Sequence, residues 1–252
     1  MKLRLLSDLH MEGHKYDYKS QGEDVVLLLG DIHTKCRHAE ILDQINESTR
    51  IILIAGNHEY YGSTFEGVNS TLKDFELIYP NLTYLDNDSV DFNGVSFFGG
   101  TMWTDFKLYG ENDVPYVIQD TTRYIADYRY IDKFASYPNY QGSKEKWTIG
   151  DTIEQYEIFG KNFDRWVKDK EGMTRICLTH FLPSIKSVDA QFKGCILNGY
   201  FASNQEHRLT LVDWWFHGHT HSSCNYENVR CNPRGYGAEN KLGFNPNLII
   251  EV

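Results

Sequence analysis

Ile51-Ile52-Leu53-Ile54-Ala55-Gly56-Asn57-His58-Glu59 is the stretch whose reading decides the fold. Its first part is a short, branched, fully apolar run of strand length, and its second part turns at once to glycine, amide, imidazole and carboxylate. A strand that ends this way carries polar side chains to the edge of a sheet. Working outward, the same sentence is written four more times: Lys2 to Ser7 before Asp8-Leu9-His10, Val25 to Leu29 before Gly30-Asp31, Ile176 to Thr179 before His180, and Val212 to Phe216 before His217-Gly218-His219-Thr220-His221. Five polar clusters therefore follow five strands.

Between these runs, helical spacing of apolar residues predicts helices over Ala39 to Glu47, Phe65 to Phe75 and Ile153 to Lys168, so strands and helices alternate in a layered α/β fold. Asn93-Gly94 stands between Val90–Phe92 and Val95–Phe98 and predicts a hairpin, and Cys224 to Val252 reads as further antiparallel strands. The sheets should be mixed. At 252 residues the chain suits a single domain spanning 1–252, with a Tyr-rich insertion of weak periodicity at about 102–150, containing Tyr109, Tyr116, Tyr124, Tyr128, Tyr130, Tyr137 and Tyr140.

Composition narrows the function classes. A net charge of −10 disfavours tight binding to duplex nucleic acid, whose affinity comes from Lys and Arg neutralising phosphates. No apolar run is long enough to span a membrane, and the N-terminal segment reads as a first strand rather than a signal peptide, so a cytoplasmic protein is expected. Five cysteines, Cys36, Cys177, Cys195, Cys224 and Cys231, contain no Cys-x-x-Cys pair and indicate neither a disulfide framework nor a thiolate zinc site. Nothing in the sequence sets the oligomeric state.

The clusters themselves offer only oxygen and imidazole donors: Asp8, His10, Asp31, Asn57, His58, His180, His219 and His221. That set suits borderline divalent ions, Mn²⁺ first, with Zn²⁺ or Fe as alternatives. Asp31 is the candidate to bridge two of them. Strand alternation would point Asp8 with His10, and His219 with His221, into one pocket, while Gly30, Gly56 and Gly218 would let the backbone approach the ions.

The order Asp-x-His, Gly-Asp, Gly-Asn-His-Glu, His and Gly-His-x-His resembles the calcineurin-like metallophosphoesterase superfamily, and the match runs from Asp8 to His221. The resemblance implies two packed mixed β-sheets flanked by helices. It implies one metal held by Asp8, His10, Asp31 and His221, and another held by Asp31, Asn57, His180 and His219. His58 would remain unligated and act as general acid or charge stabiliser while a hydroxide between the ions attacks phosphorus. The segment after Gly30-Asp31 lacks the Gly-Asp-x-Val-Asp-Arg-Gly of the protein Ser/Thr phosphatase branch, and Glu59 is left as the local candidate to orient His58. The stretches Trp103-Thr104-Asp105-Phe106 and Cys231-Asn232-Pro233-Arg234-Gly235-Tyr236 resemble a broad group of bacterial and phage members without a shared substrate.

The expected activity is hydrolysis of a phosphodiester of a small or nucleotide-like substrate. Monoester hydrolysis, nuclease action on nucleic-acid ends and a catalytically inactive scaffold are the alternatives, the last disfavoured by the intact ligand set. The diester reading rests on charge: Lys35 and Arg37 lead toward a helix, and no Lys or Arg lies within Gly56 to Gly62 or Gly218 to Cys224. Arg129, as a planar fork for phosphate, and Tyr60, as a pocket flank, are the candidate substrate-binding residues. His33 and His217 adjoin ligand positions without being counted among the ligands.

Overall fold

The computed structural model describes residues 1–134, 145–237 and 243–252. Among these, eleven strands form two sheets. The first contains β1 (Lys2–Leu6), β2 (Val25–Leu29), β3 (Arg50–Ile54) and β4 (Leu82–Tyr84), and the second contains β5 (Asp88–Phe92), β6 (Val95–Gly100), β7 (Thr174–Thr179), β8 (Trp214–His217), β9 (Cys224–Tyr226) and β10 (Val229–Cys231). Strand β11 (Ile249–Glu251) returns to pair antiparallel with β1, giving the orders β11-β1-β2-β3-β4 and β5-β6-β7-β8-β10-β9. The β1-β2-β3-β4 and β6-β7-β8-β10 neighbours are parallel, while β5-β6 and β9-β10 are antiparallel. Both sheets are mixed, as the sequence requires.

Strand alternation builds the core. Leu3, Leu5, Val25, Leu27, Leu29, Ile52 and Ile54 of the first sheet meet Phe97, Ile176, Leu178 and Phe216 of the second in one buried cluster between the sheets. The intervening residues Val26, Leu28, Ile51 and Leu53, with Phe98, Cys177 and Trp215, belong to a second cluster that is completed by helices. A strand apolar on both faces must be covered on both, which explains why these runs lack polar alternation.

The helices are α1 (Ala39–Leu42), α2 (Phe65–Ile78), α3 (Val114–Tyr124), α4 (Asp127–Tyr130), α5 (Ile149–Asp169), α6 (Asn198–Phe201) and α7 (Glu206–Leu209). Helix α5 starts four residues before its apolar periodicity because Thr148 and Asp151 form a reciprocal capping box. It buries Phe159, Phe163 and Trp166, and Trp166 donates from Nε1 to Ser96 Oγ on β6 at 2.8 Å. Helix α1 is shorter than its apolar spacing suggests, because after the Asp43 N to Ala39 O bond the chain tightens to i−3 bonds, Gln44 N to Ile41 O and Ile45 N to Leu42 O. The hairpin turn sits at Asn93-Gly94, both at positive φ, as that pair allows. Within the Tyr-rich insertion the described part supplies α3 and α4; Tyr137 and Tyr140 lie outside the described residues.

The parallel strands β1, β2 and β3 of one sheet and β7 and β8 of the other deliver their C-terminal ends to a common edge. An added Cβ at Gly56 would lie 2.2 Å from Asp31 Oδ1 and 2.8 Å from His180 Cε1, so the loops from both sheets touch there. Gly56→Ala should therefore destabilise the fold severely and abolish metal binding, whereas Gly94→Ala, with nothing within 4 Å of the new methyl, should cost only about 1–2 kcal/mol for its left-handed backbone. Denaturant unfolding and metal titration of the two variants separate these outcomes.

Candidate metal centre

Five of the seven candidate ligands have left-handed backbone: Asp8, His10, Asp31, His219 and His221, with φ of 51°, 43°, 52°, 69° and 52°. This revises the expected strand alternation. Strand β1 ends at Leu6 and β8 at His217, so the ligands lie past the strands in tight turns, and His219 and His221 turn to different groups. The turns are held by main-chain bonds that cross between elements: Asp8 N to Gly30 O, His10 N to Asp31 O and Gly235 N to Asp8 O, each 3.0 Å. Arg234 completes the brace by donating to the carbonyls of Leu9, His14 and Lys15.

Two clusters of donors result, and Asp31 belongs to both. Asp8, His10, Asp31 and His221 form one, and Asp31, His180 and His219 the other. The Asp31 carboxylate divides between them, Oδ2 lying 3.8 Å from His10 Nε2 and Oδ1 lying 3.4 Å from His180 Nε2. His10 Nε2 and His221 Nε2 are 3.0 Å apart, and His221 Nε2 is 3.4 Å from Asp8 Oδ1.

Unpartnered atoms test whether a cation fits. Asn57 Oδ1, His180 Nε2 and His219 Nε2 are buried without a hydrogen-bond partner, an arrangement costly for a protein unless a ligand takes the lone pairs. For two of them the opposite atom is engaged: His180 Nδ1 donates to Leu29 O at 2.8 Å, and Asn57 Nδ2 donates to Asp127 Oδ1 at 3.0 Å. His10 likewise turns Nδ1 to Glu12 Oε1 at 3.1 Å. Fixing one ring nitrogen or amide so that the other faces a metal is how such ligands are oriented. The residues fit divalent cations.

Electrostatics agree. Burial raises the Asp31 carboxyl, but His180, His58 and His10 together hold it well below the ordinary carboxylate range. Burial, reinforced by His180, keeps His219 a neutral imidazole. His180 is pushed down by burial yet carried up to about 10 by Asp31 and Asp8, so without a cation its Nε2 holds a proton that the cation must displace.

Glu59 is not beside His58 in the role the sequence suggested. Its carboxylate is fully buried and accepts from the backbone amides of Asp31, Ile32, His33 and Gly56 at 2.7 to 3.3 Å, with the His38 imidazole 3.3 Å away. It ties the loop after β2 to the loop after β3. His58 instead faces Glu12 Oε1 at 3.7 Å and Asp31 Oδ2 at 3.9 Å, and stacks on Tyr61 with ring centroids 4.2 Å apart. Burial lowers its pKa, but Asp31, Glu12 and Asp127 outweigh that and raise it overall.

The other candidates fall elsewhere. Tyr60 is fully buried, donates to Asn69 and packs between Phe65 and Trp103, so the pocket flank is its neighbour Tyr61. Arg129 is exposed on α4 and does not line the cleft, whereas Asp127, two residues earlier, does. His33 bonds to Thr34 O, Lys35 is exposed, and Arg37 pairs with Glu40, all outside the cleft. His217 turns away to Ser187 and Gly218. Glu12, Asp127 and Tyr200 carried no motif signal. Asp127 is buried and binds Asn57, Tyr61 and Tyr200 at once, a convergence of three distant segments that no local spacing announces.

Two outcomes follow. Asp127→Ala should weaken one of two cation affinities by about 10- to 100-fold, through loss of the Asn57 anchor, while sparing the cation at Asp8 and His221, as calorimetric titration would resolve. Cation uptake should release protons and tighten as pH rises toward about 10, by roughly tenfold per unit for each proton displaced, because His180 stays protonated below that pH in the cation-free protein. Calorimetry in buffers of different ionisation enthalpy counts those protons.

Comparison with known proteins places this edge in context. The chain is 24% identical over 287 residues to the uncharacterized protein L509 of Acanthamoeba polyphaga mimivirus, covering 99% of this chain and 96% of that one. It superposes on the phosphopantetheinyl hydrolase PptH of Mycobacterium tuberculosis with a TM-score of 0.65 at 14% identity, over 94% of this chain and 90% of that one, which shows a shared fold. The calcineurin-like phosphoesterase model matches residues 1–223, which include all seven candidate ligands and His58. The chain belongs to the calcineurin-like phosphoesterase family and is a metal-dependent phosphoester hydrolase.

Proposed function

We propose that the protein is a dinuclear phosphodiesterase acting on a small or nucleotide-like diester, with Mn²⁺ as the preferred ion and Zn²⁺ or Fe as substitutes. The observation that carries this reading is the cleft of about 590 Å³ that opens onto Asp31, Asn57, His58, His219 and His221. Its wall includes Tyr61, Tyr124, Ile125, Leu182, Val188 and Phe192, with Asp127, Asp189, Gln191 and Asn198 as polar members, and among the described residues no Lys or Arg lines it. A site for monoester dianions usually adds cationic side chains to its metals, while a diester carries one charge. An apolar, aromatic wall also suits the uncharged organic group that a diester retains on its second oxygen.

Asp8, His10, Asp31 and His221 would hold one ion, and Asp31, Asn57, His180 and His219 the other. When bound, these ions supply Lewis acidity toward phosphoryl oxygens and lower the pKa of water. The chain does the rest. Asp31 fixes the spacing of the two sites through its two oxygens. Tyr61 and Tyr236 confine the His58 ring, Tyr236 OH lying 3.5 Å from its Nε2, and Glu12 favours its protonated form, so His58 can give a proton to the leaving alkoxide. Tyr124 and Phe192, across the cleft, would pack against the leaving group.

Two measurements test the proposal. The kcat/KM for a nitrophenyl phosphodiester should exceed that for the matching monoester; clear monoesterase preference would overturn the diester reading. His58→Ala should keep both cations and lose ~10²- to 10⁴-fold in kcat on esters with poor leaving groups, with a much smaller loss on nitrophenyl esters, which need no proton. Loss of a cation in that variant would instead make His58 a ligand.

A further inference from the structure

Behind the loop that carries His219 and His221 lies a second kind of donor cluster. Cys224 and Cys231 stand directly opposite each other in the antiparallel β9-β10 pair, and Cys231 is in register with His217 across the parallel β10-β8 pair. Three adjacent strands thus end with sulfur, sulfur and imidazole abreast, their nearest donor atoms within 4.8 Å of one another. His217 and Cys231 are buried and Cys224 is partly so.

The imidazole is oriented for ligation. His217 Nδ1 lies 2.9 Å from Gly218 O, and since a carbonyl only accepts, Nδ1 carries the proton. The Nε2 lone pair then faces Cys224 Sγ at 3.4 Å and Ser187 Oγ at 2.9 Å. A ring that donates one nitrogen to a backbone carbonyl and turns the other toward thiols is the usual posture of a metal-bound histidine.

We propose that His217, Cys224 and Cys231 form a third metal site, separate from the oxygen- and imidazole-lined pair, which takes Zn²⁺ with two thiolates, one imidazole and the Ser187 hydroxyl or water. The 3.4 Å between Cys224 Sγ and His217 Nε2 is a separation that tetrahedral zinc, about 2.0–2.3 Å from each donor, spans, and Cys231 Sγ lies within 4.8 Å of both. Two thiolates also neutralise the ion, so it can sit in this largely buried place. The thiolates set its selectivity: the softer donors draw Zn²⁺ here and leave Mn²⁺ to the oxygen- and imidazole-lined pair. Its effect would be mechanical. Cys231 Sγ lies 3.8 Å from Gly218 O, so an ion binding Cys231 and His217 clips the turn before His219 to β10 and stiffens the loop that serves both catalytic ions.

The test is reconstitution of the full chain with Co²⁺ alone. The expected result is one equivalent beyond those held by the oxygen- and imidazole-lined pair, with a thiolate-to-cobalt charge-transfer band in the near ultraviolet that added Zn²⁺ erases. Cys224→Ser and Cys231→Ser should each remove that band and that equivalent and leave the remaining cobalt bound. In the unmodified protein, which avoids any folding defect of the variants, Zn²⁺ should slow alkylation of Cys224 roughly tenfold or more, and a chelator should restore it. Cobalt binding without the charge-transfer band, or alkylation of Cys224 at the same rate with and without Zn²⁺, would overturn the site. So would a Cys224–Cys231 disulfide in protein purified with Zn²⁺ present.

Discussion

Four backbone amides from two separate loops converge on the Glu59 carboxylate, deep beneath the metal-binding edge. Each buried amide left without an acceptor would cost about 1–3 kcal/mol, and none of the four has a place in a strand ladder, because all lie beyond strand ends. Glu59 therefore makes it possible for the chain to leave β2 and β3 abruptly while remaining dry. The amide of Asp31 is one of the four, so the carboxylate that joins the two donor clusters is held from behind by another carboxylate. The His38 ring beside Glu59 and the amides around it spread that buried charge.

The left-handed backbone at five ligands shows where the resulting strain is placed. Non-glycine residues in that conformation cost of order 1–3 kcal/mol each, and they persist only where the surroundings leave no alternative. Here the surroundings are the two packed sheets, whose apolar strands fix the positions of all the turns at once, and glycines at 30, 56 and 218 that admit neighbouring loops where a methyl would collide. A ligand set built in this way has its geometry before any cation arrives. It also explains the buried, unpartnered Asn57 Oδ1, His180 Nε2 and His219 Nε2: they cannot turn away to find hydrogen-bond partners.

Charge is arranged in the opposite sense around the cleft. Carboxylates and imidazoles crowd the floor, while the described walls are mainly aromatic and aliphatic, with Asp127, Asp189, Gln191 and Asn198 among them and no Lys or Arg, so positive charge for a phosphoryl group falls to bound ions and to a protonated His58. Asp127 marks the junction of the two zones, since its buried carboxylate accepts from the candidate ligand Asn57 and the wall residue Tyr61 at Oδ1 and from the wall residue Tyr200 at Oδ2. The insertion that brings Asp127 is thereby part of the metal centre's support as well as of the cleft.

The sequence by itself determined the alternation of apolar strands with polar turns, the mixed character of the sheets in a layered α/β fold, the hairpin at Asn93-Gly94 and the identity of the donors that gather at one edge; the two packed sheets were implied by the family resemblance. The former are legible because each depends on local spacing: a strand's length, a glycine after it, a donor after the glycine. The tertiary structure alone decided that Asp31 turns one oxygen to each cluster, that Glu59 binds loops rather than His58, and that Asp127 and Glu12 rather than Arg129 and Tyr60 reach the centre. It also decided that Cys224 and Cys231, which show no metal-site spacing, lie beside His217. Those outcomes depend on which segments far apart in the chain are brought within hydrogen-bond distance, and on which of two neighbouring side chains a turn points inward. Such choices are made by the packing of the two sheets, and no pattern along a single strand records them.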